Sequence, residues 1–233
     1  MRIGASFILI EGYCYQSYQW KFLRPLGRLS HVLSFLDKYE VDEICITRPI
    51  RKVDSSSTLL NDFEQVKLSL SNSPISIGGG IRSLKHLKAL SELPVERIHF
   101  SHAFLSRKEN IINQSINLYG KQAIVATLPV KLKDKDLLVY DCAKATFRIL
   151  DSNVLDFINE SADEVMIIDV QNEGIDDKFN FRILEQLNIN NEKLIISGGL
   201  GHKTIKQAKD LGIASCLIEN RILQKENYIK TEL

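Results

Sequence analysis

The stretch "SIGGGIRSLKHLKAL" (76–90) decides the fold, because it returns about half a chain later as "ISGGLGHKTIKQAKDL" (196–211). Each copy starts with a short apolar run, passes through paired glycines and ends in a segment of helical periodicity. "VDEICI" (41–46) is matched in the same way by "ADEVMI" (162–167). These pairs predict two similar half-chains, each built from strand–turn–helix units.

The same alternation of apolar runs and helical segments continues along the whole chain. We expect strands over 2–10, 43–48, 74–78, 96–101, 122–128, 164–170, 193–197 and 214–218. The segments between them predict helices over 28–38, 58–70, 83–92, 106–118, 152–160, 180–187, 202–210 and 221–229. Alternating strands and helices are typical of a parallel sheet. Eight units predict a closed (β/α)8 barrel, and an open doubly wound sheet is the alternative.

One segment interrupts this pattern. Residues 131–150 ("KLKDKDLLVYDCAKATFRIL") read as a hairpin inserted after the fifth strand. A chain of 233 residues is long for an ordinary domain but normal for one barrel, so we expect 1–233 to form a single (β/α)8 barrel that carries this insertion.

Composition excludes several classes of function. The formal net charge is +1, so the chain lacks the basic field that favours nucleic acid or anionic lipid. No apolar run is long enough to span a membrane. The four cysteines (Cys14, Cys45, Cys142 and Cys216) have spacings that suit neither a zinc site nor a disulfide framework. We therefore expect a cytoplasmic protein that binds no metal and no cofactor.

Paired glycines end the third and seventh predicted strands. Gly79 and Gly80 lie in the first half-chain, and Gly198 and Gly199 lie at the matching position in the second. Glycine lets backbone N–H groups approach a ligand closely, and the N-terminus of a following helix favours an anion. The pairs therefore predict twin phosphate sites, although glycine also serves in tight turns, and both interpretations stay open.

At this point the chain resembles the cyclase subunit of imidazole glycerol phosphate synthase. "GGGIRS", "GKQAIV", "ISGGLG" and the Asp-Glu pairs before apolar strands carry the resemblance, which keeps the order of the motifs across almost the whole chain. It implies a barrel of the ribulose-phosphate-binding type with two phosphate sites. It also implies a glutaminase partner on the bottom face, whose ammonia passes through the barrel to an active site at the top.

The chain departs from this family where proton transfer takes place. The family uses two aspartates, one at the end of strand one and one at the end of strand five, and the matching residues here are Ile8 and Pro129. Neither can act as an acid or a base, so we do not expect ordinary cyclase activity. The candidates for a relocated catalytic group are Asp169, His102 and Glu219.

The upper phosphate positions are altered as well. After strand four the family has an Asn-Thr pair, and this chain has Ser101 and His102; after strand eight stand Glu219 and Asn220. The resemblance implies that Ser101 and Asn220 bind phosphate together with the four glycines. A carboxylate beside a phosphate is unfavourable, so Glu219 argues against a bisphosphorylated ligand.

Four charged residues stand at strand starts on the opposite face: Arg2, Glu43, Arg97 and Glu164. The resemblance implies a ring of alternating charges around the entrance of the ammonia tunnel, with arginine replacing the family's lysine on strand four. Two cations and two carboxylates inside a barrel can neutralise one another. The alternative is that these side chains face solvent. Glu96 matches an acidic family residue that contacts the glutaminase.

These features lead to three hypotheses. The first is a HisF-like barrel that takes ammonia from a glutaminase and conducts it to a sugar amidotransferase in surface-polysaccharide biosynthesis. The absence of the two catalytic aspartates would make the chain a divergent paralogue of the cyclase. The second is an active cyclase of histidine biosynthesis with relocated acid and base residues. The third is a non-catalytic scaffold barrel.

Overall fold

The computed structural model of the chain describes residues 1–50, 55–67 and 71–219. Its strands are β1 (Arg2–Ile10), β2 (Tyr13–Tyr18), β3 (Phe22–Arg28), β4 (Ile44–Thr47), β5 (Ile75–Gly78), β6 (Arg97–Phe100), β7 (Ile124–Lys133), β8 (Asp136–Asp141), β9 (Thr146–Ile149), β10 (Glu164–Asp169), β11 (Leu194–Ser197) and β12 (Ser215–Ile218). Its α-helices are α1 (Leu29–Lys38), α2 (Ser56–Lys67), α3 (Leu84–Leu90), α4 (His102–Leu105), α5 (Glu109–Tyr119), α6 (Ser152–Ser161) and α7 (His202–Asp210). The predicted helix over 221–229 and the predicted phosphate ligand Asn220 lie outside the described residues.

Eight of these strands form a closed parallel barrel. They pair in the order β1, β4, β5, β6, β7, β10, β11 and β12, and β12 pairs back onto β1. Each overlaps one of the eight predicted strands. The prediction of a (β/α)8 barrel is therefore confirmed, and the open sheet is excluded.

One predicted helix is wrong in type. Residues 180–187 contain a 3₁₀ helix, Phe181–Gln186, in which the Asn180 side chain accepts a hydrogen bond from the backbone N–H of Arg182. The 3₁₀ form is frequent in short connecting segments such as this one. No helix in the described ranges is long and apolar enough to cross a bilayer.

Alternation along the strands separates two apolar layers. The large layer lies between the sheet and the helices and includes Ile3, Ala5 and Phe7 of β1. The smaller layer lies inside the barrel and consists of Cys45, Val125, Met166, Ile168, Val170, Ile195 and Leu217. Successive strand residues point to opposite faces of a sheet, so Arg2, the first residue of β1, points toward the interior together with this second layer.

Two antiparallel extensions rise from the barrel. β1 continues into β2 through a two-residue turn, Glu11 and Gly12, in which both residues have positive φ, and β2 pairs with β3. β7 runs on to pair with β8, which pairs with β9. The predicted hairpin segment 131–150 thus lies in a three-stranded antiparallel sheet, whereas the β2–β3 hairpin was not predicted. Trp20 contacts Tyr140 edge to face, with ring centroids 5.3 Å apart, and so joins the two extensions.

Candidate functional site

The four charged residues at the strand starts form a closed ring of ion pairs. Arg2 Nε lies 3.1 Å from Glu43 Oε1, and an Arg2 Nη atom lies 2.5 Å from Glu164 Oε1. Arg97 completes the ring, at 2.9 Å from Glu43 Oε2 and 3.2 Å from Glu164 Oε2. All four residues lie at the N-terminal ends of parallel strands, so the ring surrounds the axis at the bottom of the barrel.

Burial differs between the acids and the bases of this ring. The side chains of Glu43 and Glu164 are 3% and 10% exposed, whereas those of Arg2 and Arg97 are 32% and 22% exposed. Ser215, the first residue of β12, also donates a hydrogen bond to Glu43. A buried carboxylate is stable only when it is paired and hydrogen-bonded. The ring is therefore electrically balanced, with its acids facing inward and its bases reaching toward the bottom surface.

Glu96 lies next to the ring. It is exposed and directly precedes Arg97 at the start of β6, where its backbone N–H donates to the carbonyl of Ile75. A carboxylate at this place is available to a protein bound across the bottom face. Its predicted contact with a glutaminase stays a prediction.

A histidine inside the barrel was not among the predicted site residues. His99 of β6 is 5% exposed, its Nδ1 lies 3.2 Å from Thr127 Oγ1, and its Nε2 lies 3.8 Å from Cys45 Sγ. A Cβ at Gly78 would lie 2.4 Å from the His99 Cβ, so glycine there makes room for the imidazole. Burial, with a smaller effect of Arg97, lowers the pKa of His99 to about 3. The imidazole is therefore neutral, and it is the first interior side chain of β6 above the ring.

The two positions that match the family's aspartates have no group that can transfer a proton. Ile8 is half-buried near the top of β1, opposite Thr47. Pro129 is buried in β7, opposite Ile168 of β10. Proline is tolerated there because β6 pairs with β7 only as far as Ala126, so its missing N–H costs no ladder hydrogen bond to β6.

Asp169 holds a loop together at the upper rim. It is fully buried, and its carboxylate accepts hydrogen bonds from Asn172 Nδ2 at 2.7 Å and from the backbone N–H groups of Gln171 and Asn180 at 3.2 Å and 3.0 Å. Burial raises the pKa of Asp169, and these hydrogen bonds oppose that effect. Both carboxylate oxygens are occupied by the chain itself, which favours a positioning role for this residue.

The other two catalytic candidates belong to different networks. His102 Nδ1 lies 3.2 Å from Ser106 Oγ and 3.7 Å from Asp141, and burial lowers the pKa of His102. Glu219 accepts a hydrogen bond from Ser197 Oγ at 2.9 Å. Neither residue shares a described contact with Asp169. The structure therefore does not bring the three candidates together as one catalytic group.

Glu219 has an acidic partner that sequence analysis missed. Glu173, a residue 2% exposed in the loop after β10, is close enough to act electrostatically on Glu219. Burial and the neighbouring Glu173 raise the pKa of Glu219 well above its ordinary value, and burial also raises the pKa of Glu173. Each of the two acids therefore holds its proton to a higher pH than an exposed glutamate does.

The glycine pairs are packed against backbone. A Cβ at Gly79 would lie 1.8 Å from the carbonyl oxygen of Arg48, and one at Gly198 would lie 2.5 Å from that of Asp169. Gly79, Gly80, Gly198 and Gly199 all have positive φ. Close packing and turn geometry thus account for these glycines without a ligand. Ser101, the remaining described phosphate candidate, is half-buried between β6 and α4. Phosphate binding stays a prediction at all of these positions.

A carboxylate of the chain already lies at the N-terminus of α7. Asp177 Oδ1 accepts hydrogen bonds from the backbone N–H groups of Lys203 at 2.8 Å and Thr204 at 3.1 Å. These N–H groups, which follow Gly198 and Gly199, would be the donors of an anion site. A phosphate at this helix would have to displace Asp177.

Replacing Asp177 with alanine is expected to lower the free energy of unfolding by about 1–2 kcal/mol, because α7 loses the acceptor that caps its first turn. Urea unfolding of the Asp177→Ala chain measures this loss. Glu185→Ala, which removes an exposed acid with no described contact, is the control. Equal stability of the two variants would show that Asp177 is not the cap of this helix.

Comparison with known proteins agrees with this architecture. Residues 50–227 match the family model described as "Histidine biosynthesis protein". The chain is 25% identical over 233 residues to the 1-(5-phosphoribosyl)-5-((5-phosphoribosylamino)methylideneamino) imidazole-4-carboxamide isomerase of Buchnera aphidicola, which covers 97% of this chain and 94% of the isomerase.

Other relatives carry the name of the synthase. The chain is 28% identical over 205 residues to the "putative imidazole glycerol phosphate synthase subunit hisF2" of Campylobacter jejuni, with 85% of this chain and 79% of the relative covered. It is 23% identical over 197 residues to the HisF subunit of an Exiguobacterium species, with 82% and 76% covered. Because the family model spans more than half of the chain, the protein belongs to the family of histidine biosynthesis proteins.

Proposed function

We propose that this chain is a HisF-like barrel that receives ammonia from a glutaminase bound at its bottom face and conducts it to a sugar amidotransferase of surface-polysaccharide biosynthesis. One observation carries the proposal: the ring of Arg2, Glu43, Arg97 and Glu164 is complete, while Ile8 and Pro129 replace the groups that would perform the cyclase reaction.

The ring is suited to the passage of ammonia. Its charges sum to zero, so a small neutral molecule meets no net charge at the entrance. The next interior polar group of β6, His99, is neutral and has hydrogen-bonding nitrogens. The bases of the ring reach the bottom surface, where the exposed Glu96 adds a further charge for a partner to recognise.

The names of the relatives support a protein partner for this chain, but they do not identify the enzyme that receives the ammonia. Their names describe HisF as a subunit of a synthase, which fits a barrel that works in a complex. A chain without its own proton-transfer pair needs another enzyme to use the ammonia. We assign that role to a sugar amidotransferase, because this chain resembles cyclase-like proteins that are associated with surface-polysaccharide biosynthesis.

The active cyclase is the less favoured alternative. Asp169, His102 and Glu219 lie in separate hydrogen-bond networks, and Asp177 occupies the helix N-terminus beside Gly198 and Gly199. Turnover of the aminoimidazole precursor of the synthase with ammonium salts, abolished by Asp169→Asn, would establish this alternative and overturn the proposal.

The proposal is tested by mixing the purified chain with a glutaminase from the same organism. We expect a stable complex and severalfold faster glutamine hydrolysis. Glu96→Lys should weaken the complex, whereas Glu109→Lys should not, because Glu109 begins α5 and faces the other end of the barrel. The absence of complex and stimulation would reject the proposal. A complex whose activity is unaffected by Arg2→Ala and Glu164→Ala would favour the scaffold hypothesis.

A further inference from the structure

The loop after β10 packs against the turn that precedes α7. The backbone N–H of Lys178 donates to the carbonyl oxygen of Gly199 at 2.9 Å and fixes the loop to this turn. From the loop, Asp177 Oδ1 accepts hydrogen bonds from the backbone N–H groups of Lys203 at 2.8 Å and Thr204 at 3.1 Å. The chain therefore places one of its own negative charges at the positive end of a nine-residue helix.

Two backbone positions are adapted to this contact. A Cβ at Gly201 would lie 2.7 Å from Asp177 Oδ1 and 2.8 Å from its Cγ. Gly201 has φ −157, an extended conformation that any residue adopts, so the glycine is explained by the space that the carboxylate needs. Asp177 has φ 56, a left-handed conformation that residues other than glycine adopt at a cost in free energy. The turn thus accepts backbone strain in order to hold this carboxylate.

The donors that Asp177 occupies are those that would bind a phosphate. Successive backbone N–H groups at a helix N-terminus that follows paired glycines, here Gly198 and Gly199, form an anion site. The hydroxyl of Thr204 lies 3.4 Å from the same carboxylate oxygen, and Thr204 is 5% exposed. The carboxylate therefore has the partners that a phosphate oxygen would have at this place.

We propose that Asp177 is a specificity-determining residue that fills this anion site from within the chain and keeps phosphorylated ligands away from the N-terminus of α7. A phosphate would have to break the contacts of Asp177 with Lys203 and Thr204 before it could bind. A ligand without an anionic group does not need these donors and is not excluded. The inference goes beyond ammonia transfer, because it concerns which ligands the upper face accepts.

The alternative is that Asp177 is only a helix cap. Aspartate is a common capping residue, but the N-cap position of α7 is Gly201, and Asp177 lies 27 residues before Thr204 in the chain. A serine or aspartate at position 201 would be a local cap without a strained loop. Loss of stability on removing Asp177 is expected in both cases, so a phosphate titration is needed to distinguish them.

The variant that opens the site is Asp177→Gly. It removes the carboxylate, and because glycine adopts φ 56 without strain, the loop should keep its conformation. The melting temperature of the isolated chain is measured in potassium phosphate and in potassium chloride at equal ionic strength. We expect a saturable rise with phosphate and an affinity at least about tenfold higher than that of the wild type, since no cap has to be displaced.

Nuclear magnetic resonance locates the binding. In the Asp177→Gly chain the backbone amide signals of Lys203 and Thr204 should shift as phosphate is added, whereas in the wild type they should not. A variant that responds to phosphate no more than the wild type would show that Asp177 is only a cap and would overturn the assignment. Equal, tight binding of phosphate to both chains would overturn it as well.

Two matched controls separate occupancy from charge. Asp177→Asn keeps an acceptor oxygen and suits the left-handed backbone, so it should still fill the site and bind phosphate as weakly as the wild type. Asp210→Asn removes the same charge from the exposed last residue of α7 and should change nothing.

If Asp177→Asn bound phosphate as tightly as Asp177→Gly, charge repulsion would explain the exclusion, and the proposal that the side chain occupies the site would be wrong. These measurements use the isolated chain without a glutaminase. The result is therefore independent of the complex expected under the proposed function, and each proposal can fail alone.

Discussion

Glu43→Gln is expected to lower the free energy of unfolding by about 2–4 kcal/mol, although it removes a single charge and keeps the side-chain shape. Glu43 is 2% exposed and pairs with Arg2 at 3.1 Å and with Arg97 at 2.9 Å. Without its charge, both arginines share Glu164 alone, and the ring acquires a net positive charge. The partial exposure of the arginines keeps the effect below that of a fully buried pair.

Urea unfolding at neutral pH measures this change. The matched control is Glu92→Gln, since Glu92 pairs with Lys67 at the same distance of 2.9 Å but on an exposed surface, and we expect its unfolding midpoint to stay unchanged. A similar small effect in the two variants would mean that the ring is an ordinary set of solvated charges. The solvent-facing alternative for the strand-start residues would then be correct.

Gly79→Ala is expected to have a larger effect, about 4 kcal/mol or loss of folding. Gly79 has φ +102, and its new Cβ would lie 1.8 Å from the carbonyl oxygen of Arg48. Backbone atoms cannot move away as a flexible side chain can, so steric overlap and an unfavourable φ act together. This expectation follows from the role of Gly79 in packing the turn after β5 against the end of β4.

The control for this variant is Gly212→Ala. Gly212 also has positive φ, at +73, but nothing lies within 4 Å of a Cβ built there, so only backbone strain of about 1 kcal/mol is expected. Urea unfolding of both variants separates the cost of steric overlap from the cost of the unfavourable φ. If Gly79→Ala were as stable as Gly212→Ala, close packing would not explain this glycine, and a ligand-binding role would be favoured.

The barrel could be predicted because its signals are local. Six of the eight barrel strands are mostly apolar runs of four to six residues, and the matched glycine turns after β5 and β11 reveal the half-chain repeat. The β2–β3 hairpin escaped prediction because its loop, residues 19–21, contains no glycine and neither an Asn-Gly nor an Asp-Gly pair, although Gln19 and Trp20 have positive φ. Pro25 and Gly27 also interrupt the strand pattern of β3.

The site was only partly predictable for a different reason. The resemblance identified the four ring residues, and their opposite charges implied mutual pairing. Ser17 donates a hydrogen bond to Glu173 across 156 residues, a contact that no spacing rule indicates. Asp177 was likewise hidden, because an acidic loop after strand six gives no sign that one carboxylate caps α7.

Ammonia released by the partner is expected to pass through this ring rather than through solvent. An isotope-competition assay supplies amide-labelled nitrogen-15 glutamine, the glutaminase, this chain and the recipient amidotransferase in the presence of excess unlabelled ammonium chloride. We expect a product that retains nitrogen-15, and loss of that label in the Glu43→Gln complex. A wild-type product with the isotope ratio of the bulk ammonium would show that ammonia reaches the amidotransferase through solvent instead.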